Sequence, residues 1–241
     1  MVNSGKPTSA RCYADHLGGC GGGISLEHIS TKRIFKDAKM VETFGMGAPN
    51  GKRISLNSVG ANILCRDHNS LLGSLDNAIG DLADACGEFW RSGGMHSISI
   101  NGTLIERWML KYIFGASAAG YIGGKKMYPD EQAVRQLFAL DPLMDQFALY
   151  GVALPSLHRI YNTSVSMRAL ARIGEEVDMC LFSINALPII AFTGDGDPQR
   201  ALRSLEWIDQ IDVRQARVQK RPSLMELKQP GARLTINLSY M

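Results

Sequence analysis

With 241 residues and 45% hydrophobic content, the chain can bury one large core or two small ones, which points to a soluble globular protein. No apolar run approaches the roughly 18–20 residues that span a bilayer, and the opening "MVNSGKPTSARC" lacks the apolar stretch of a signal peptide. A cytoplasmic protein with no membrane partner is therefore expected, and a formal charge of +3 is too small to mark a nucleic-acid binder by bulk charge.

In chain order, residues 1–11 read as a loose arm. Residues 12–28 are glycine-rich around Cys12 and Cys20, with "ISL" the one strand-like element. Between residues 30 and 53, Lys32, Arg33, Lys36, Lys39, Lys52 and Arg53 outnumber Asp37 and Glu42, a local excess that suits phosphates or a solvated face. Segment 41–61 reads as a long connection with one short strand.

From Leu71 to Trp90, the positions Leu71, Leu75, Ile79, Leu82, Cys86 and Phe89 recur every three or four residues and predict an amphipathic helix, with Asp76 on its solvated side. "RSGGMHS" marks a boundary, giving domains at 12–92 and 97–241. Two further helices follow, broken at Gly115 and Pro142, and Asp197-Pro198 starts another that runs to about Ile211.

"YNTSVSMRALARIG", "EEVDMCLFSIN" and "LPIIAF" carry β-branched content between turns, and "RLTINLSY" alternates with period two. The second half is thus a mixed α+β domain with an antiparallel sheet, and the fold class is α+β. Cys86, Cys180, Trp108, Trp207 and Phe192 read as core, His96 and His158 as histidines without a role. Arg214, Arg217, Lys220 and Arg221 read as a solvated face.

The chemistry concentrates in the first half. In the cytoplasm five cysteines are expected as thiols or metal ligands rather than disulfides. Cys65 and His68 have knuckle spacing and, with Cys12 and Cys20, would complete a tetrahedral Zn²⁺ site of three thiolates and one imidazole. The gap between Cys12 and Cys20 is longer than the usual two to four residues, His16 is an alternative ligand, and a small cluster of reduced cysteines is the bland alternative. Glu27 and His28 are adjacent, so a straight strand would point them to opposite sides, whereas a bent segment lets both converge. Asn62 and Asn69 are neutral oxygen donors that suit the orientation of an imidazole or the shell of a hard cation such as Mg²⁺.

Through "SLEH", "ANILC" and "LCRDHN", residues 12–90 resemble the HNH endonuclease family. The likeness extends to a bacterial branch with an "ISxEH" start and an "ILCxxHNxxLxxLD" helix. The resemblance implies an N-terminal ββα-metal core on a zinc knuckle and metal-dependent hydrolysis of phosphodiester bonds in DNA, in a context of defence against phage or mobile elements. It makes His28 the general base, Asn62 the residue that orients it, and Glu27 and Asn69 the ligands of one Mg²⁺ (or Mn²⁺) ion. Lys32 and Arg33 would meet flanking phosphates, and the second domain would serve a regulatory or targeting protein. Glu27 stands where Asp is commoner. The competing expectations are a non-catalytic zinc-stabilised binding module and an RNA-directed nuclease.

Overall fold

The structure is a computed structural model that describes residues 12–35, 40–43, 52–55, 58–122, 124–153, 165–171, 177–185, 187–192, 197, 199, 207–208, 211–212 and 217–240. Strand β1 (Ile24–His28) leads through a small hairpin, β2 (Met40–Thr43) with β3 (Lys52–Ser55), to β4 (Gly60–Cys65). β4 pairs back antiparallel on β1, with Ile24 opposite Cys65 and His28 opposite Gly60. Segment 41–61 therefore contributes to two strands of a hairpin before β4 begins, not to one; its residues 44–51 lie outside those described.

Gly60 is required by this pairing. A Cβ there would stand 2.7 Å from the Glu27 carbonyl oxygen, a backbone atom that cannot rotate away. Gly60→Ala is expected to loosen the β1–β4 ladder at its His28 end and to lower stability by about 1–3 kcal/mol, the usual cost of overpacking, measured as a shift in the urea midpoint.

β4 runs directly into α1 (Arg66–Leu71), and after a bend at Leu72 into α2 (Gly73–Ser92). Leu75, Ile79, Leu82, Cys86 and Phe89 form the buried stripe of α2, as their spacing predicts. Leu71 lies outside it and is exposed, because it ends α1 before the bend. Gly93, at φ 63°, closes α2 with its N–H on the Phe89 carbonyl, and β5 (Met95–Asn101) follows.

The Asn101 side chain accepts from the N–H groups of Thr103 and Leu104 and so caps α3 (Gly102–Ala118). α3 continues through Gly115, where a break was expected. Gly115 instead serves close packing: a Cβ there would come within 3.3 Å of Ile29, in the loop after β1. α4 (Glu131–Leu137), capped by Asp130, ends before Pro142 as expected.

The remaining elements are strands: β6 (Leu149–Ala153), β7 (Val165–Ala171), β8 (Val177–Ile184), β9 (Leu187–Phe192), β10 (Trp207–Ile208), β11 (Ile211–Asp212), β12 (Arg217–Lys220), β13 (Leu224–Gln229) and β14 (Ala232–Ser239). The order β12-β6-β9-β8-β7 makes the expected antiparallel sheet, and β13-β14-β5 a second one in which β14 and β5 run parallel. The helix expected from Asp197 to about Ile211 does not reach its far end: Gln199 is helical, residues 200–206 lie outside those described, and Trp207 is already in a strand. Asp197 does accept from the Gln199 N–H like a cap, yet Trp207–Ile208 pairs with Ile211–Asp212 as a short antiparallel ladder.

The second basic stretch is partly anchored rather than simply solvated. Arg221 Nε donates to the buried carboxylate of Glu106 at 2.9 Å, and Lys220 stands 2.8 Å from Asp145; Arg214 lies outside the described residues.

The fold class is α+β. One continuous buried cluster runs from Cys12 and Leu64 through Leu82, Phe89 and Trp108 to Phe182 on β8 and Ile236 on β14. The boundary drawn at 92–97 falls on the turn between α2 and β5, and the core crosses it. Among the described residues no helix is long and apolar enough to cross a membrane.

Candidate metal centre and the His28 end of the hairpin

Cys12, Cys20, Cys65 and His68 converge as their types suggest, with all four donor atoms within 4.8 Å of one another. The Nδ1 atom of His68 lies 3.4 Å from Cys12 Sγ, 3.6 Å from Cys20 Sγ and 3.2 Å from Cys65 Sγ. For Zn–S near 2.3 Å and Zn–N near 2.0–2.1 Å, tetrahedral geometry puts sulfur and nitrogen about 3.6 Å apart, so the donor set fits a zinc ion.

Local structure explains the spacing. Cys65 is the N-cap of α1, in extended backbone at φ −72° and ψ 161°, and its Sγ accepts the His68 N–H at 3.4 Å. A residue three positions into a helix shares a face with the cap, so Cys65 and His68 are set by one turn of backbone. The long gap from Cys12 to Cys20 is taken up by a short 3₁₀ turn at Asp15–Leu17 and a glycine-rich return. Gly22 and Gly23, at φ 68° and 70°, carry the chain through the left-handed region, and the Gly23 carbonyl accepts from Arg66 N–H at 2.9 Å. His16, the alternative ligand, stands 4.0 Å from Asp15 and is not in the cluster.

Three thiols this close cannot all ionise unaided. Burial raises the Cys12 thiol, and Cys20 is pushed up to about 12, by burial and by its Cys12 and Cys65 neighbours. At Cys65 burial acts the same way but is outweighed by N–H donors from His68 and Gly21 and by the two other thiols, which hold it below the usual thiol range. Cys65 is thus the thiol of the three that ionises most readily, and a divalent cation at the centre would favour the thiolate form of all three. His68 is buried and packs edge-on against Phe138 at the end of α4, centroids 5.5 Å apart.

The ladder carries this anchor to the far end of the hairpin. Paired residues share a face, so Asn62, opposite Leu26, lies on the face of β1 that carries His28, one step diagonally from the His28–Gly60 pair. Asn62 is exposed and His28 half-buried. The Nδ1 of His28 is buried with no hydrogen-bond partner among the described residues. Burial, then the positive charges of Lys32 and Lys111, hold His28 below its ordinary pKa against an opposing pull from Asp76.

Glu27 points the other way, as alternation requires. It is 2% exposed, and the ammonium of Lys111 on α3 stands 2.8 Å from its Oε1. Lys111 is 1% exposed and also contacts Asp76 Oδ1 at 2.6 Å. Thr31 donates to the same Asp76 oxygen and accepts from the Trp108 indole N–H at 2.7 Å. Asp76 is thus an ion-pair partner and not the solvated position its place on α2 suggested. The Asn69 amide nitrogen donates to Ser25 Oγ at 3.2 Å, a bond that does not engage its Oδ1.

Lys32 is exposed, whereas Arg33 is bound to α2 by Asp81 at 2.7 Å and Asp84 at 2.8 Å, contacts that compete with the phosphate role expected of it. Lys111, Asp76 and Thr31 had no role in the expectation drawn from the sequence. The available signal was a lysine inside the apolar run "WMLKYIFG", since a charge there must find a counter-charge when the helix is buried all round.

Comparison with protein-family models, with curated proteins and with solved structures finds no match to this chain.

Proposed function

We propose that this protein is an HNH-type endonuclease that hydrolyses phosphodiester bonds in DNA, with zinc in the Cys12, Cys20, Cys65 and His68 site and His28 as general base. The observation that carries the reading is the coupling of that cluster, through the β1–β4 ladder, to a strand end with His28 and Asn62 on one face. A neutral imidazole is what a general base needs, and burial with two nearby cations keeps His28 neutral at pH 7. His28 would take the proton of a water that attacks phosphorus, and the P–O bond to the 3′ oxygen would break to leave a 5′-phosphate. Asn62 would orient the ring, and Lys32 would meet a flanking phosphate.

The ion pairs of Glu27 and Arg33 favour a second reading, a zinc-stabilised binding module without catalysis. Plasmid nicking separates the two. Wild type is expected to nick, and His28→Ala to lower the rate by about 10²–10⁴-fold, as for loss of a general base, with zinc content unchanged. Cleavage unaffected by His28→Ala would remove His28 from the mechanism, and absence of nicking by wild type would favour the module. Single-stranded RNA run beside the plasmid tests the RNA-directed nuclease.

A further inference from the structure

The nuclease reading implies a divalent ion held by Glu27 and Asn69, and the residues present do not fit one. At the cysteine cluster four donor atoms converge within 4.8 Å of one another, whereas at Glu27 an ammonium stands against the carboxylate. Lys111 Nζ lies 2.8 Å from Glu27 and 2.6 Å from Asp76. Two carboxylates converge on one ammonium: Asp76 Oδ1 accepts a hydrogen bond from it, and Glu27 Oε1 meets it as an ion pair at 2.8 Å that falls outside hydrogen-bond geometry. The pair is closed over by the core: Lys111 arises from a helix whose neighbours Leu110, Tyr112 and Ile113 are all buried, and Thr31 and Trp108 brace Asp76 from behind.

Taking a hydrated Mg²⁺ into this place would require expelling an ammonium that is 1% exposed and has no other acidic partner among the described residues. A lone buried ammonium costs several kcal/mol, and Mg²⁺ gives up its own water reluctantly.

We propose that Lys111 takes the place of the divalent cation at Glu27, so that the positive charge beside His28 is built into α3 and the site binds neither Mg²⁺ nor Mn²⁺. The proposal rests on the nuclease reading for its catalytic meaning, and makes Lys111 a positioning residue: buried, it touches no substrate and acts by fixing Glu27, Asp76 and the field at the end of β1.

The test is a Mn²⁺ titration of zinc-loaded protein followed by electron paramagnetic resonance. Wild type is expected to bind no Mn²⁺ that Glu27→Gln removes. Lys111→Ala, which leaves two facing carboxylates, is expected to gain one Mn²⁺, lost again in Lys111→Ala/Asp76→Asn. A Mn²⁺ bound by wild type and abolished by Glu27→Gln would overturn the proposal, and this comparison decides alone where Lys111→Ala does not fold. Nicking is measured in parallel with and without added Mg²⁺, and the rate is expected not to depend on it. Absence of nicking in both conditions defeats the nuclease reading while the Mn²⁺ result stands, so the two failures are told apart.

Discussion

Cys65→Ser is expected to lose about one equivalent of zinc per chain and to be the most destabilising single substitution in the first half of the protein. Cys65 has two roles at once: it is one of the four converging donors of the cluster and the N-cap whose sulfur accepts the His68 N–H. Serine preserves a cap acceptor, so the variant isolates the metal contribution from the helix start. Structural zinc supplies on the order of 10–16 kcal/mol of apparent binding free energy in small modules near neutral pH, against about 5–15 kcal/mol of net stability for a typical domain. Partial loss of that affinity is therefore enough to unfold the segment from Cys12 to α1. Metal analysis and thermal melting of the purified variant provide the check. Cys86→Ser is the control: Cys86 is buried in α2, away from the cluster, and its variant should keep the zinc while losing some stability. Retention of a full equivalent by Cys65→Ser would rule out the tetrahedral site.

Trp108→Ala is expected to cost about 3–5 kcal/mol, the range for deleting a large aromatic from a core, with a further cost for the hydrogen bond it makes. Trp108 is fully buried, its ring lies 5.5 Å from Phe182 of the C-terminal sheet, and its indole N–H donates to Thr31 beside the Glu27–Lys111 pair. One residue thus joins the hairpin half to the sheet half. The loss should appear in urea as a single transition at lower midpoint, seen alike by far-ultraviolet circular dichroism and by zinc release. Two separated transitions, with zinc release unmoved, would mean that the halves are energetically independent despite the shared core.

Several parts of this organisation are written locally and were legible without coordinates. The stripe from Leu75 to Phe89 needs only the 3.6-residue period, and Cys65 with His68 needs only the geometry of one helical turn. "RLTINLSY" declares a strand by alternation, and it forms β14. The convergence of Cys12 and Cys20 on that turn followed from ligand chemistry, because only a few residue types can complete such a site. Local pattern also misled in places. Gly115 looked like a helix break, but its missing side chain makes room for Ile29, a contact that no window of α3 contains. Asp197 caps as expected, but the helix was drawn to Ile211, where pairing of Trp207–Ile208 with Ile211–Asp212 prevails.

The sequence by itself determined the α+β class, the candidate donors Cys12, Cys20, Cys65 and His68, with His16 left open, and the strand that presents His28. The tertiary structure alone decided what Glu27 faces and which acids hold Arg33. The first depends on α3 bringing Lys111 from more than eighty residues away in the chain, and the second on α2 presenting Asp81 and Asp84 to the loop after β1. A helical period says that Lys111 lies in an apolar helix; it carries no information about the carboxylate that a second element will place against it. The cost of an unpaired buried charge then selects the arrangement, and for this protein that cost places a lysine where the family resemblance implied a metal.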